Sequence, residues 1–239
     1  MRDNFPIIFL TGRPAAGKSE VIDYLKKTPL GERSDSFRVG DFIEVDDFPM
    51  LWTWFEEDAL LQRMGKPRLH TDAEGYFSES WLWDLLIQRI ELDYNKLLDD
   101  GRFDGGRTAI LEFSRGAEHG GWQRAFPNFS DELLSKGAIL YIDVSWEESF
   151  RKNRRRFNPA KPHSILEHGL PDDKMETLYR HSDWDDFAGG KSGYAEVRGV
   201  KIPYVSLDNS GDLTTAGGEK LGLGLRDCFK TLWELHKAR

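Results

Sequence analysis

The segment that most constrains this 239-residue chain is Gly12-Arg13-Pro14-Ala15-Ala16-Gly17-Lys18-Ser19, which fits G-x-x-x-x-G-K-[ST] at every fixed position. A β-branched, apolar run at 7–11 leads into it and a helical pattern at 18–27 follows. In that strand-loop-helix setting the backbone N–H groups and the positive helix end can surround a phosphate, and the glycines permit a backbone approach that side chains would block. Lys18 is then expected to reach the β- and γ-phosphates of a nucleotide, and the Ser19 hydroxyl to bind Mg²⁺. Kinases, GTPases and motor ATPases share such a loop, so the function has to come from the other strand ends. The Asn-Lys-x-Asp signal of guanine specificity is absent from the sequence, and the length is short for a motor or an assembly ATPase.

Short apolar runs at 6–11, 38–45, 108–113, 138–144 and 202–207 alternate with longer helical patterns, the signature of an α/β chain with a parallel sheet and crossover helices. The first helix is expected to close at Pro29 and Gly31. Two further helical stretches, 50–64 and 80–98, are separated by a Gly/Pro/His-containing segment at 65–77. That crossover is too long for a simple link, and it predicts a helical substrate-binding insertion over about 48–100. Ser145 and Glu148 have capping-box spacing and start a helix through Arg156, a short helix follows Pro171, and 218–237 forms the last helix. The whole chain reads as one domain, 1–239.

Composition narrows the partners. Removing seven Tyr from the 39% hydrophobic fraction and adding 23 Gly gives about 46% apolar, which is ordinary for a globular chain. The formal net charge of −8 argues against a general DNA or anionic-membrane binder. Cys228 is the one cysteine, which excludes an intrachain disulfide and a multi-cysteine zinc site and suits a reducing cytosol. No apolar run approaches the roughly 18–20 residues of a membrane span, and cleavage of a leader at the first run would destroy the glycine motif, so a cytoplasmic protein is expected. A homodimer is left open.

In an open parallel sheet, ligands bind beyond the carboxyl ends of the strands. The second strand ends in Glu44-Val45-Asp46-Asp47-Phe48-Pro49. Asp46 is the candidate general base and a candidate Mg²⁺ acid, and Asp47 a second acceptor contact; alternatively both cap the helix that starts near Pro49. The third strand carries Glu112 beside Ser114 and Arg115. Glu112 is a candidate for the Mg²⁺ shell and Arg115 for an anionic group on the acceptor, unless the two simply pair with each other.

After the fourth strand, Arg151-Lys152-Asn153-Arg154-Arg155-Arg156 places five bases in six residues. Arg151 and Arg155 share a helix face at i, i+4 and are the candidates to stabilise a transferred phosphoryl group; the competing reading is a solvated face that complements the helix dipole. Trp52, Trp54 and Phe55 follow the acid pair, and Trp81 and Trp83 open the next helix. Side chains at i and i+2 cannot share a face, so one of each Trp pair is expected in the core and the other in a cleft, with Trp52 and Phe55 as acceptor contacts. Arg68 and His70 in the intervening loop could meet an anionic acceptor. His163, His168 and His181 have no recognised metal spacing.

The loop at 12–19, the Asp46-Asp47-Phe48 turn, the 112–115 segment and the 143–156 run together resemble the P-loop nucleoside and nucleotide kinase superfamily. Asp46-Asp47-Phe48 is similar to the acid-x-Phe turn of uridine-kinase-like enzymes, and Glu112 with Arg115 resembles, at altered spacing, the Glu-Arg pair of deoxynucleoside kinases. The resemblance implies a three-layer α/β/α sandwich with five parallel strands in the order 2-3-1-4-5, acceptor-binding acids after strand two and an arginine-bearing lid at about 151–190. It implies ATP and Mg²⁺ as cofactors, a nucleoside or nucleotide as the acceptor, and Asn209, after the fifth strand, near the adenine. A nucleotide-binding regulatory ATPase without its own acceptor is the alternative, and it predicts a shallow, closed or solvent-filled region beside Asp46 and Arg115 and nucleotide-dependent binding to a protein partner. Nucleic acid binding is disfavoured by the stretch 41–58, which has seven acids and no base.

Overall fold

The computed structural model describes residues 3–156, 160 and 169–239. In chain order the elements are β1 (Ile7–Gly12), α1 (Lys18–Lys27), α2 (Leu30–Phe37), β2 (Phe42–Asp46), α3 (Phe48–Arg63), α4 (Leu82–Asp99) and β3 (Thr108–Phe113). There follow α5 (Gly121–Ala125), α6 (Asp131–Lys136), β4 (Gly137–Asp143), α7 (Trp146–Arg156), α8 (Asp172–Tyr179), α9 (Trp184–Phe187), β5 (Ser192–Val197), β6 (Val200–Asp208), α10 (Leu213–Ala216) and α11 (Gly218–Ala238).

The sheet order is β2-β3-β1-β4-β6-β5. The first five of these strands are mutually parallel, which is the expected order 2-3-1-4-5. The strand count differs from the expected five, because β5 adds antiparallel to β6 at the edge. A two-residue turn, Arg198-Gly199, makes that hairpin, with φ of 49° and 82°. Both signs are what a type I′ hairpin turn requires, but an arginine in the first position hides it from a reader looking for Asn-Gly.

Alternation along the central strands builds the three layers. Ile7 and Phe9 face one side with Ala109, Leu111, Ile139 and Tyr141, where Ile87 and Ile90 of α4 and Trp122, Phe126 and Trp184 cover them. Ile8 and Leu10 face the other side with Leu140 and Ile142, under Val21, Leu25, Phe37, Leu225 and Phe229 of α1, α2 and α11. The close approach of α11 to α1 depends on Gly222, since a Cβ there would lie 2.1 Å from the Tyr24 hydroxyl. A glycine that lowers helix propensity is therefore retained for packing.

The second predicted strand is shorter than expected, Phe42–Asp46, because 30–37 forms α2. Its Gly and Ser content reads as loop, but Arg33 donates to the Leu25 carbonyl at the end of α1 (2.8 Å) and to the Gly40 carbonyl (3.1 Å). Those bonds and the burial of Phe37 override local propensity. Among the described residues no helix is long and apolar enough to cross a membrane.

The insertion after β2 has its own small core, in which Trp54 packs with Leu82 and Leu86 of α4. Asp58, fully buried, pins the loop between α3 and α4 by accepting from the backbone N–H groups of Leu69 (2.7 Å), His70 (3.0 Å) and Thr71 (2.6 Å) and from the Thr71 hydroxyl (2.7 Å). Burial alone would raise its pKa, but those donors outweigh it and hold the carboxyl at about 2. Replacing Asp58 with Asn exposes an amide to donors it cannot accept from, and we expect a loss of about 2 kcal/mol in unfolding free energy. Because the folded pKa lies below the unfolded one, the carboxylate's contribution is complete above about pH 4 and disappears as pH falls towards 2. Denaturant titrations of the two proteins should therefore converge over that window; a gap that stays constant with pH would contradict this role.

Candidate functional site

Gly12 ends β1 and Gly17 precedes α1, so the loop between them is fixed at both ends by regular structure. Gly17 has φ of 110°, and a Cβ on it would lie 2.3 Å from the Thr214 hydroxyl, so only glycine fits. Ala15 is left-handed at φ 54°, a conformation that costs roughly 1–2 kcal/mol for a residue with a Cβ. The surrounding structure holds it there. Ser149 of α7 donates to the Pro14 carbonyl (2.7 Å), and Asn209 donates to the Ala16 carbonyl (2.7 Å). Arg13 donates to the carbonyls of Tyr179 and Arg180 at the end of α8.

The first-turn amides of α1 have no intrahelical acceptors and open onto a cavity of about 450 Å³ lined by 15–20, Glu112, Lys152, Arg155 and Arg156. Lys18, buried, donates to the Ser114 hydroxyl (2.6 Å) and lies 3.8 Å from Glu112. Ser19 is exposed to the same cavity.

A second cavity of about 530 Å³ continues from Lys18 and Ser19 past Glu44, Asp46 and Glu112. The β2–β3 register sets Asp46 directly opposite Glu112. Both carboxyls are held above their ordinary range: Asp46 by desolvation in the concave floor and then by the charges of Glu112 and Asp47, and Glu112 by burial, against the pull of Lys18. Asp46 nonetheless reaches solvent through the cavity, and its Oδ1 accepts the Phe48 N–H (2.9 Å). It caps the turn and faces the cleft at once, so the two readings of this residue coexist.

The other predicted residues separate. Asp47 and Arg115 form a buried ion pair at 2.7 Å, and Arg115 also donates to the Trp83 carbonyl (3.1 Å). Arg115 therefore pairs with Asp47 and not with Glu112, and an anionic acceptor group would have to displace that pair. Arg68 is engaged by Thr71 (2.6 Å) and Gln62 (3.0 Å) inside the insertion and lines neither cavity, which corrects its assignment as an acceptor contact. Arg151 turns to Glu148 (2.6 Å) and Asp212 (3.3 Å), and Lys152 lies 2.6 Å from Asp212 while lining the first cavity with Arg155 and Arg156. Asn209 is fully buried and braces the loop and Thr214, so its place near an adenine is also corrected. His163 and His168 lie outside the described residues, and among the described residues no group of three His, Cys, Asp or Glu is arranged to hold a metal ion.

The expectation of one core and one cleft residue in each Trp pair holds for Trp52/Trp54 but not for Trp81/Trp83, because Trp81 precedes α4 and is exposed. Trp54 is in the insertion core, stacked on His70 with centroids 4.8 Å apart. Trp52 and Phe55 line a third cavity, of about 850 Å³. Trp81 is 53% exposed, whereas Trp83 lines both the second and third cavities. His119, Tyr76, Phe77 and Lys174 also line the third cavity and were not candidates from sequence, because loops distant in the chain bring them together.

No family model matches the chain, and no curated protein matches it. Among solved structures it is similar to a sugar kinase from Janibacter sp. HTCC2649, with 15% identity, a TM-score of 0.43, and 97% of this chain and 96% of that chain covered. It is also similar to Kti12 of Chaetomium thermophilum in complex with ADP-AlF₃, with 14% identity, a TM-score of 0.49, and 96% and 98% covered. The strand order and the loop between β1 and α1 give the chain a P-loop kinase-like fold on their own.

Removing one member of a buried pair leaves the other charge unpaired. Asp47→Ala should lower unfolding free energy by about 3–5 kcal/mol, with Asp47→Asn costing less because an acceptor remains. Chemical denaturation checks both; equal losses would show that the guanidinium does not depend on this partner.

Proposed function

We propose that the protein transfers the γ-phosphoryl group of Mg·ATP to a hydroxyl of a small-molecule acceptor. The observation that carries this reading is that Lys18 and Ser19, which line the cavity at the loop, line an adjoining cavity together with the strand-end acid Asp46.

The donor set fits Mg²⁺. Ser19 and Glu112 offer hard oxygens, and burial holds the Glu112 carboxyl above its ordinary range, so that a dication would favour its charged form. When bound, Mg²⁺ would neutralise phosphate charge as it develops in transfer. The amides of 17–19 and the Lys18 ammonium hold the phosphates, and Lys152, Arg155 and Arg156 face them from α7. Asp46 stands on the acceptor side and accepts the hydroxyl proton as the new O–P bond forms and the bond from Pγ to the bridging oxygen of ADP breaks. A raised carboxyl pKa suits a base working near neutral pH.

Arg115, on the wall of the second cavity, is already paired with Asp47, so a phosphate on the acceptor would have to displace that pair to reach it.

The test is transfer of labelled γ-phosphate to a panel of nucleosides, sugars and simple alcohols. Lys18→Ala should abolish transfer. Asp46→Asn should lower kcat by about 100-fold or more while ADP affinity changes little. Unchanged turnover in Lys18→Ala, or a change confined to KM in Asp46→Asn, would overturn the assignment.

A further inference from the structure

The third cavity differs in kind from the two beside the phosphate loop. Its walls are aromatic, with Trp52, Phe55, Tyr76, Phe77 and Trp83 among the lining residues, and at about 850 Å³ it is near the upper end of the roughly 300–1,000 Å³ range of small-molecule pockets. Phe48, Leu51, Trp83, Leu170 and Tyr179 line both it and the acid-bearing cavity, so one elongated molecule can occupy both. A bare sugar or a single pyrimidine would leave most of the chamber to water against apolar walls, which the hydrophobic effect disfavours.

The charges on the lining cancel. Arg63 and Lys174 are matched by Glu56 and Glu118. Glu56 accepts from the Trp52 indole (2.9 Å), and Lys174 donates to the Gly75 carbonyl (2.9 Å) while lying 5.1 Å from the Tyr76 ring centroid. Neither sign is left in excess to select an ionic ligand.

His119 supplies an independent observation. It is 3% exposed and lies stacked on Trp83, with centroids 3.8 Å apart. Its Nδ1 accepts the Gly116 N–H at 3.4 Å, which assigns the proton to Nε2. Burial, and then Arg115, depress its pKa to about 3, so the ring is neutral. Nε2 has no hydrogen-bond partner among the described residues. Nε2 is also closed off from the chamber, so His119 contributes an uncharged ring wall beside Trp83 and no hydrogen-bonding atom to a ligand.

We infer that the acceptor is a neutral hydroxyl compound carrying an extended aromatic body, which occupies the chamber against the Trp52, Phe55, Phe77 and Trp83 walls. The inference rests on the kinase reading, which it deepens by naming the acceptor class: an aryl-bearing alcohol with more apolar surface than a nucleoside.

Binding to the full chain, followed by calorimetry, separates the two readings. The probes are 2-naphthalenemethanol, 6-methoxy-2-naphthalenemethanol and uridine, with ADP titrated in parallel. Both naphthyl alcohols should bind saturably and at least about tenfold more tightly than uridine. Ala59 is exposed on α3 and lines the chamber but not the phosphate cavity. Ala59→Trp fills the chamber from a surface position, so it should weaken both alcohols about tenfold or more and leave ADP affinity unchanged. His119→Phe keeps the ring stack and the uncharged wall, and should change the affinity of either alcohol by no more than about twofold. Tighter binding of uridine, no saturable binding of either alcohol, or indifference to Ala59→Trp would overturn the inference while ADP binding left the kinase reading standing. A loss of about tenfold or more in His119→Phe would overturn the reading of His119 as an apolar wall. Failure of ADP to bind would instead count against the kinase reading, with the chamber still scored by the alcohols.

Discussion

The rest of the site depends on one buried ammonium. Lys18 sits at the floor of the cleft, donating to Ser114 and facing Glu112, so the first helix, the third strand and the loop between β1 and α1 share a single charge. Taking an ammonium out of water is unfavourable unless partners replace the hydration, and those partners come from the strand end where an acid is needed for a metal. The loop that delivers Lys18 is itself conformationally costly at Ala15. It is held in place by hydrogen bonds from α7, from the turn after β6 and to the end of α8. Two segments far apart in the chain thus donate to the carbonyls of Pro14 and Ala16, and Arg13 of the loop donates to carbonyls of a third.

The net charge of −8 conceals a division across this cleft. On one side, Glu44, Asp46 and Glu112 line one cavity, where burial first, and neighbouring acids second, hold the Asp46 and Glu112 carboxyls above their ordinary range. On the other, Lys152, Arg155 and Arg156 form a cationic wall. A bound metal-nucleotide, negative at its phosphates and positive at its metal, satisfies both sides together. Neither free Mg²⁺ nor free nucleotide does so alone.

Local motifs were the most legible part of the sequence. The loop is contiguous, so its eight residues carry its geometry, and Asp46 and Glu112 follow from the rule that ligands meet strand ends. Contacts between distant segments were illegible. Arg115 and Asp47 are 68 positions apart, and nothing in either neighbourhood specifies that they pair. Helical spacing placed Arg151 and Arg155 on one face, but the competing acid Asp212, which draws Arg151 away, lies in a later loop. Asn209 was assigned by resemblance to a base pocket, yet its amide bonds the phosphate loop across 193 positions. The helix α2 and the edge strand β5 were missed for a related reason: tertiary burial and an arginine in a left-handed turn override the local signals a reader relies on.

The central claim is that the phosphate loop and the strand-end carboxyls form one site for a metal-nucleotide. Calorimetric titration of Mg·ADP in buffers of different ionisation enthalpy tests it directly. Because the Asp46 and Glu112 carboxyls are held above their ordinary range, a dication that favours their charged forms must displace protons. The account predicts proton release on binding Mg·ADP that grows as pH is lowered from 8 towards 5, and a smaller release in Asp46→Asn. Binding heats that do not depend on the buffer, or proton release unchanged in that variant, would contradict it.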